Sequence, residues 1–351
     1  MDANVPSDSR LALLTRWLRE DLGFDPALIE PASADASFRR YFRVTRDDES
    51  FIVMDAPPGK EDLQPYLQVT RMLAGIGLNV PWVLARDESR GLLLLTDLGK
   101  RLYLPELTTL VRAGRLYADA FTALARMQTA GRTFAQALPM YDRALLVREM
   151  QLLPDWFLAR HLQQPVGAAE HGMLERLFAF LVQASLGQPA TFVHRDYHSR
   201  NLLVTAQDAP GIIDFQDAVR GPVTYDLVSL LKDCYVAWPA AEVRAWALQY
   251  REMLLTAGFD LGGTERDFLR WFDLAGLQRH IKVLGIFCRL YYRDGKSQYL
   301  HDLPRVLEYV RTAAEAYPET AEFARFIETR ILPDFPAAQA RALAPESAPG
   351  G

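Results

Sequence analysis

The chain has 351 residues, 50% of them apolar and 24% charged, with a formal net charge of −5, which suits a globular protein of one large or two modest domains. The slight acid excess leaves no basic footprint for nucleic acid, and two cysteines, Cys234 and Cys288, are too few for a disulfide framework. No apolar run approaches a membrane span, and the opening MDANVPSDSR lacks the basic-then-apolar pattern of a secretion signal, so a cytoplasmic protein is expected.

In chain order, a helix is expected over residues 9–22, where Leu11, Leu14, Leu18 and Leu22 form one stripe with Trp17 beside it and Gly23 ends it. Strands are expected over 38–45, 50–54, 80–86 and 91–96. Asp47-Asp48 turns the first two into a hairpin, and a helix over 61–75 separates the second from the third. This order makes a small antiparallel lobe, residues 1–99. Residues 100–335 read mainly as helix, with strands only around one motif and a buried helical stretch over 268–290. Residues 336–351, rich in Ala and Pro, are expected to be a disordered tail.

The motif is HRDYHSRNLLV, residues 194–204, followed by GIIDFQDA, residues 211–218. Asn201 lies five residues after Asp196, and Asp214 thirteen after Asn201. Phosphoryl transfer needs a carboxylate to orient or deprotonate the attacking hydroxyl, and hard oxygen donors for Mg²⁺. An Asp, an Asn and an Asp in this order, between short apolar strands, supply them. Asp and Asn in turns also serve local backbone bonds, but this pattern at fixed spacing, with apolar strands beside it, asks for more. His194 and His198 suggest zinc, yet Arg195 stands where H-E-x-x-H has its Glu, and the flanks are strand-like. His194 reads as a packed loop anchor. His198 suits either a place near substrate or a solvent-facing one. A second phosphate motif, Gly295-Lys296-Ser297, fails because Leu290 stands where a P-loop has Gly.

With GPVTYDLVSLLKD just downstream, these motifs resemble the aminoglycoside phosphotransferase family over residues 20–330. The resemblance implies an α+β, bilobal, protein-kinase-like fold and small-molecule kinase activity with ATP and Mg²⁺. It makes Asp196 the base or orienter, Asn201 and Asp214 the metal ligands, and Asp226 a brace for the catalytic loop; alone, Asp226 is equally an ordinary helix N-cap. It also makes Thr96, Asp97 and Leu98, after the Leu92–Leu95 run, a hinge that meets the adenine, where a core strand and turn is the plain alternative. Four blocks, SADASFRRYFRV, FIVMDAPP, HRDYHSRNL with DFQDAVRGPVTYD, and LQRHIKVLGIFCRLYYRDGK, resemble more narrowly the family's anomeric amino-sugar kinases. That implies a small-molecule amino sugar as partner, N-acetylmuramate or N-acetylglucosamine, phosphorylated at its C1 hydroxyl.

One departure stands out. Met54 occupies the position where a kinase small lobe carries its phosphate-gripping Lys. Replacement charge is offered by Arg39, Arg40 and Arg43, which alternation splits between two strand faces; solvated charges on an edge strand are the competing account. Ser37 and Phe38, with Arg39, Arg40 and Met54, complete the expected nucleotide contacts. For the sugar, Arg279 and His280 lie in the basic-polar run from Gln278 to Lys282, with structural ion pairing as the alternative. His198 and Asp217 are further candidates, Asp217 equally as a turn cap. Other readings are an aminoglycoside or other alcohol kinase of the same fold, and a nucleotide-binding pseudokinase favoured by Met54. A monomer or weak dimer, without nucleic-acid or membrane partners, is expected.

Overall fold

The computed structural model describes residues 8–34, 38–207 and 209–344. The chain divides into two compact units, residues 1–101 with 203–217, and residues 102–202 with 218–351.

The first unit is built on an antiparallel five-stranded sheet of order β1-β2-β3-β5-β4. Its strands are β1 (Leu28–Ala34), β2 (Arg40–Arg46), β3 (Glu49–Asp55), β4 (Val83–Asp87) and β5 (Leu92–Thr96). Asp47 and Asp48 both have positive φ, 51° and 66°, as a tight hairpin turn between β2 and β3 requires. β5 lies between β3 and β4, and Leu92, Leu93, Leu94 and Leu95 are all buried, which is why it reads as a continuous apolar run and not an alternating one. The N-terminal helix runs Ser9–Arg16, with the Asp8 carboxylate accepting from the Arg10 and Leu11 N–H groups, and continues as a π-turn, Trp17–Asp21. Leu14, Trp17 and Leu18 pack with Phe42, Val44, Val53, Leu92 and Leu94. A helix at Gln64–Gly75 follows β3.

β1 was not foreseen. Pro31 sits beside a register shift between Pro31 and Ser33; proline is tolerated at such a bulge on an edge strand, but in sequence it signals a loop. Residues 203–217 were also expected in the second unit, and backbone bonding assigns them to the first. Val204 N–H donates to Arg101 C=O (2.7 Å) and Ile212 N–H to Asn79 C=O (2.8 Å). Phe215 stacks on Tyr66 at 5.1 Å.

The second unit is mainly helical around a 30-residue helix, Glu265–Asp294, longer at both ends than the expected 268–290. Thr264 and Asp267 form a capping box at its start, and Gly295 ends it in the left-handed conformation, φ 68°. That end accounts for the Gly-Lys-Ser sequence without a phosphate. Gly285 marks the tightest approach in the unit: a Cβ there would meet the Leu152 carbonyl carbon and oxygen at 2.3 Å. Gly285→Ala is therefore expected to lower stability by about 1–3 kcal/mol, because backbone and not a flexible side chain must move. A urea titration showing no loss would contradict it. The expected tail is corrected in part. A helix runs Phe335–Leu343, with Phe335 and Ala338 buried; two apolar contacts on one face stabilise a segment whose composition suggested fraying.

Candidate active site

The catalytic-motif loop follows the strand Ala190–Val193, which pairs antiparallel with Val219–Pro222. The fully buried Asp226 carboxylate accepts from the backbone N–H groups of His194 (2.7 Å) and Arg195 (2.9 Å). Burial pushes its pKa up to about 7, against the stabilising pull of those two donors. Arg195 has φ 78°, a cost for a non-glycine residue that the surrounding bonds must offset. The His194 ring is buried, accepts the Asp196 N–H at Nδ1 (3.3 Å) and meets Tyr197 edge-on. Tyr197 donates to Ala120 C=O (2.8 Å), and Ser199 N–H to Asp233 (3.0 Å).

In this braced loop the Asp196 side chain keeps 37% of its surface exposed, with Arg279 Nη2 3.9 Å from its Oδ1. Burial works to raise its pKa, but Lys282 and Arg279 hold it well below the usual carboxylate range. Lys282 reaches the buried Glu149 at 3.0 Å, and Glu149 also pairs with Arg195 and accepts from the Tyr141 hydroxyl. Against the same burial penalty, Lys282 and Arg195 keep Glu149 ionised. Asn201 Nδ2 donates to Asp196 C=O (3.0 Å); with the nitrogen so engaged, the amide oxygen is the atom a hard cation would take.

Among the described residues, buried polar atoms without a hydrogen-bond partner include both ends of the Gln278 amide, Nε of Arg279, Nδ1 of His198 and Oγ of Ser199, with others elsewhere, such as the Tyr103 hydroxyl and Nε of Arg251 and Arg289. Each costs about 1–3 kcal/mol if nothing meets it. His280 is not among them. Its Nε2 lies 2.9 Å from Lys232 C=O and its ring stacks on Tyr309 at 4.7 Å. Burial lowers its pKa to about 3 and keeps it neutral. At His280, where a substrate contact was expected, the ring is instead buried and engaged by Lys232 C=O and Tyr309. The His198 ring stands edge-on to Tyr235 at 5.5 Å.

In the first unit, Asp214 has φ 62° and accepts from Gln216 Nε2 (2.8 Å). Asp217 is exposed, with Gln216 Nε2 3.4 Å and Arg39 Nη2 4.0 Å away. Among the described residues no three of His, Cys, Asp and Glu group as a metal site.

The expected nucleotide contacts fare unevenly. Ser37 lies outside the described residues. Phe38 is 60% exposed, its N–H donating to Glu61 (3.0 Å). Met54 is fully buried. The Arg40 guanidinium is bound by Asp55 (2.6 Å) and Asp8, and Arg43 forks onto Asp97 (2.5 and 3.0 Å) and Gly99 C=O (3.0 Å). Arg40, expected at the phosphates, is thus engaged as a sheet clasp, and the Asp97 side chain, in the expected hinge, holds Arg43 and also accepts from Ser50 and from Gly99 N–H. Thr96 N–H is taken by Trp82 C=O (2.9 Å). Leu98 Cδ1 would lie 3.1 Å from a Cβ on Gly211, which packs it onto the strand before Asp214. Glu61, Glu149 and Lys282 went unassigned in sequence, Glu61 and Glu149 because no motif surrounds them.

A model of the phosphotransferase enzyme family matches residues 28–272. The chain belongs to that family. This phosphotransferase is 47% identical to the N-acetylmuramate/N-acetylglucosamine kinase of Pseudomonas aeruginosa, over 92% of this chain and 97% of that one. It is 42% identical to the protein of the same name from Pseudomonas putida, over 91% and 96%. Among solved structures it is similar to a choline kinase from Streptococcus pneumoniae, with TM-score 0.61 and 12% identity over 87% of this chain and 100% of that one. An AMP-bound spectinomycin phosphotransferase gives 0.60 and 14% over 87% and 98%. These likenesses show the α+β, protein-kinase-like fold. No helix among the described residues of the phosphotransferase is long and apolar enough to cross a membrane.

Proposed function

We propose that this phosphotransferase transfers phosphate from ATP to the anomeric hydroxyl of N-acetylmuramate and N-acetylglucosamine. The observation that carries the reading is identity of 41–47% along most of the chain to three proteins bearing that kinase name. Structural neighbours bound to ADP and AMP support a nucleotide donor. Asn201 and Asp214 are the residues that would hold Mg²⁺, which when bound draws charge off the phosphates.

In this reading Asp196, kept ionised by Lys282 and Arg279, accepts the C1 hydroxyl's hydrogen bond and orients the oxygen toward the γ-phosphorus. The new O–P bond forms as the bridging bond to ADP breaks, and the hydroxyl proton passes to the Asp196 carboxylate. Little covalent work falls to the protein, so positioning dominates. Arg279 and Gln278 meet the sugar's polar substituents. Arg279→Met is accordingly expected to reduce kcat/KM for the sugar roughly tenfold to a hundredfold, the worth of a hydrogen bond to a charged group, with KM for ATP unchanged. Equal losses toward ATP and sugar would remove Arg279 from the sugar site.

The reading is tested by incubating the protein with ATP and Mg²⁺ and N-acetylmuramate, N-acetylglucosamine or kanamycin. Sugar 1-phosphate is the expected product. Phosphorylated kanamycin alone would keep the family and overturn the substrate.

A further inference from the structure

N-acetylmuramate differs from N-acetylglucosamine by a lactyl ether that carries a carboxylate. An enzyme that takes both sugars can grip the first through a cation the second does not need. We propose that Arg200 is that cation and sets the preference for N-acetylmuramate; the inference rests on the sugar-kinase reading above and adds a specificity residue to it.

Arg200 stands on the same tight turn as Asp196. His198 N–H donates to Asp196 C=O (3.0 Å), Asn201 N–H to His198 C=O (2.9 Å) and Asn201 Nδ2 to Asp196 C=O (3.0 Å). Asp233 pins this turn from outside, its two oxygens accepting the N–H groups of Ser199 and Tyr235 at 3.0 Å each. The Tyr235 ring is thereby brought against the Arg200 guanidinium, whose carbon lies 3.6 Å from the ring centroid, with Tyr299 a second ring at 5.9 Å. So close an approach requires the guanidinium to lie flat on the ring, which fixes its plane and leaves its N–H donors pointing sideways. The His198 ring feels both the Asp196 and the Arg200 charge, so base and cation flank one histidine.

The other cations around this loop have carboxylates. Arg195 and Lys282 share Glu149, Lys232 pairs with Asp273 and Arg305 with Asp302. Arg279 is buried with Asp196 3.9 Å away. Arg200 is half-buried, and among the described residues it makes no ion pair and donates no hydrogen bond. Asp233, the carboxylate tied to its own turn, is occupied by backbone N–H groups. A partly desolvated cation that has an aromatic face but no counter-charge keeps its pull on an anion. Its planar fork meets both oxygens of a carboxylate at once.

The test compares N-acetylmuramate, its neutral carboxamide and N-acetylglucosamine as acceptors at saturating ATP and Mg²⁺. Rates and melting temperatures are measured for the parent, Arg200→Met and Arg200→Lys. The parent is expected to favour the acid over the carboxamide by about tenfold to a hundredfold in kcat/KM, the worth of a hydrogen bond between charged groups. Arg200→Met should no longer tell the two apart, and its preference for N-acetylmuramate over N-acetylglucosamine should fall by the same factor. Arg200→Lys should recover part of that preference, which a contact that only packs on Tyr235 would not tie to the carboxylate. An unchanged preference in Arg200→Met, with both sugars still phosphorylated, overturns the proposal and keeps the sugar-kinase reading. Equal losses on both sugars, or product from N-acetylglucosamine alone in the parent, overturn it as well. No sugar phosphate from the parent removes the reading, and the proposal with it. If Arg200→Met melts far lower than the parent, Arg200→Gln decides by the same preference.

Discussion

Replacing Asp196 by asparagine is expected to cost 10²–10⁴ in kcat, the usual worth of a positioned acid–base group, while the protein still folds and binds ATP. The substitution keeps the side chain's shape and removes only its charge and basicity. The loop has independent supports in the Asp226 bonds to His194 and Arg195 and in the Tyr197 bond to Ala120. Those bonds do not involve the Asp196 carboxylate, so the loop should keep its place while Arg279 loses one neighbouring charge. Single-turnover rates separate the loss from binding. A variant with kcat within tenfold of the parent would remove Asp196 as the base and leave it an orienting residue at most.

Glu149→Gln is expected to destabilise the protein by about 3–5 kcal/mol, the cost of stranding buried charge. Glu149 is 6% exposed and faces the cations of Lys282 and Arg195 together with the Tyr141 hydroxyl. Glutamine leaves both cations in place without their nearest negative partner, and the low-dielectric surroundings magnify the imbalance. Urea unfolding of the second unit's signal should shift to a clearly lower midpoint with an unchanged slope. Activity should fall as well, since Lys282 and Arg195 also set the charge around Asp196. A loss under 1 kcal/mol would mean that the cluster relaxes and takes up solvent.

Legibility in the sequence tracked how local each interaction is. The β2–β3 hairpin, the helix at Gln64–Gly75 and the long helix at Glu265–Asp294 declare themselves through periodicity and turn residues. β1 was hidden because Pro31 is a loop signal everywhere except at an edge bulge. The helix Phe335–Leu343 was hidden because its composition favours disorder and its stability comes from burying Phe335. Asp196, Asn201 and Asp214 stand out as candidates because phosphoryl transfer demands fixed residue types within a short stretch. Glu149 and Glu61 could not, since a lone glutamate on a polar helix or in a loop carries no mark of the partner it will meet.

The sequence by itself therefore determined the fold class and nominated Asp196, Asn201 and Asp214 as the residues that phosphoryl transfer would need. Only the tertiary structure decided how the charges are shared out. Arg39, Arg40 and Arg43 are equivalent on paper, as are Arg279 and His280. Burial separates them, because a cation moved out of water must find a carboxylate or a ligand. Asp55 and Asp97 answer for Arg40 and Arg43, and Lys232 C=O and Tyr309 hold the neutral ring of His280. Arg279 comes to rest beside Asp196, and Arg39 beside the segment of Asp214. Those pairings join residues far apart along the chain, where side-chain reach and desolvation set the outcome and local sequence pattern has no bearing.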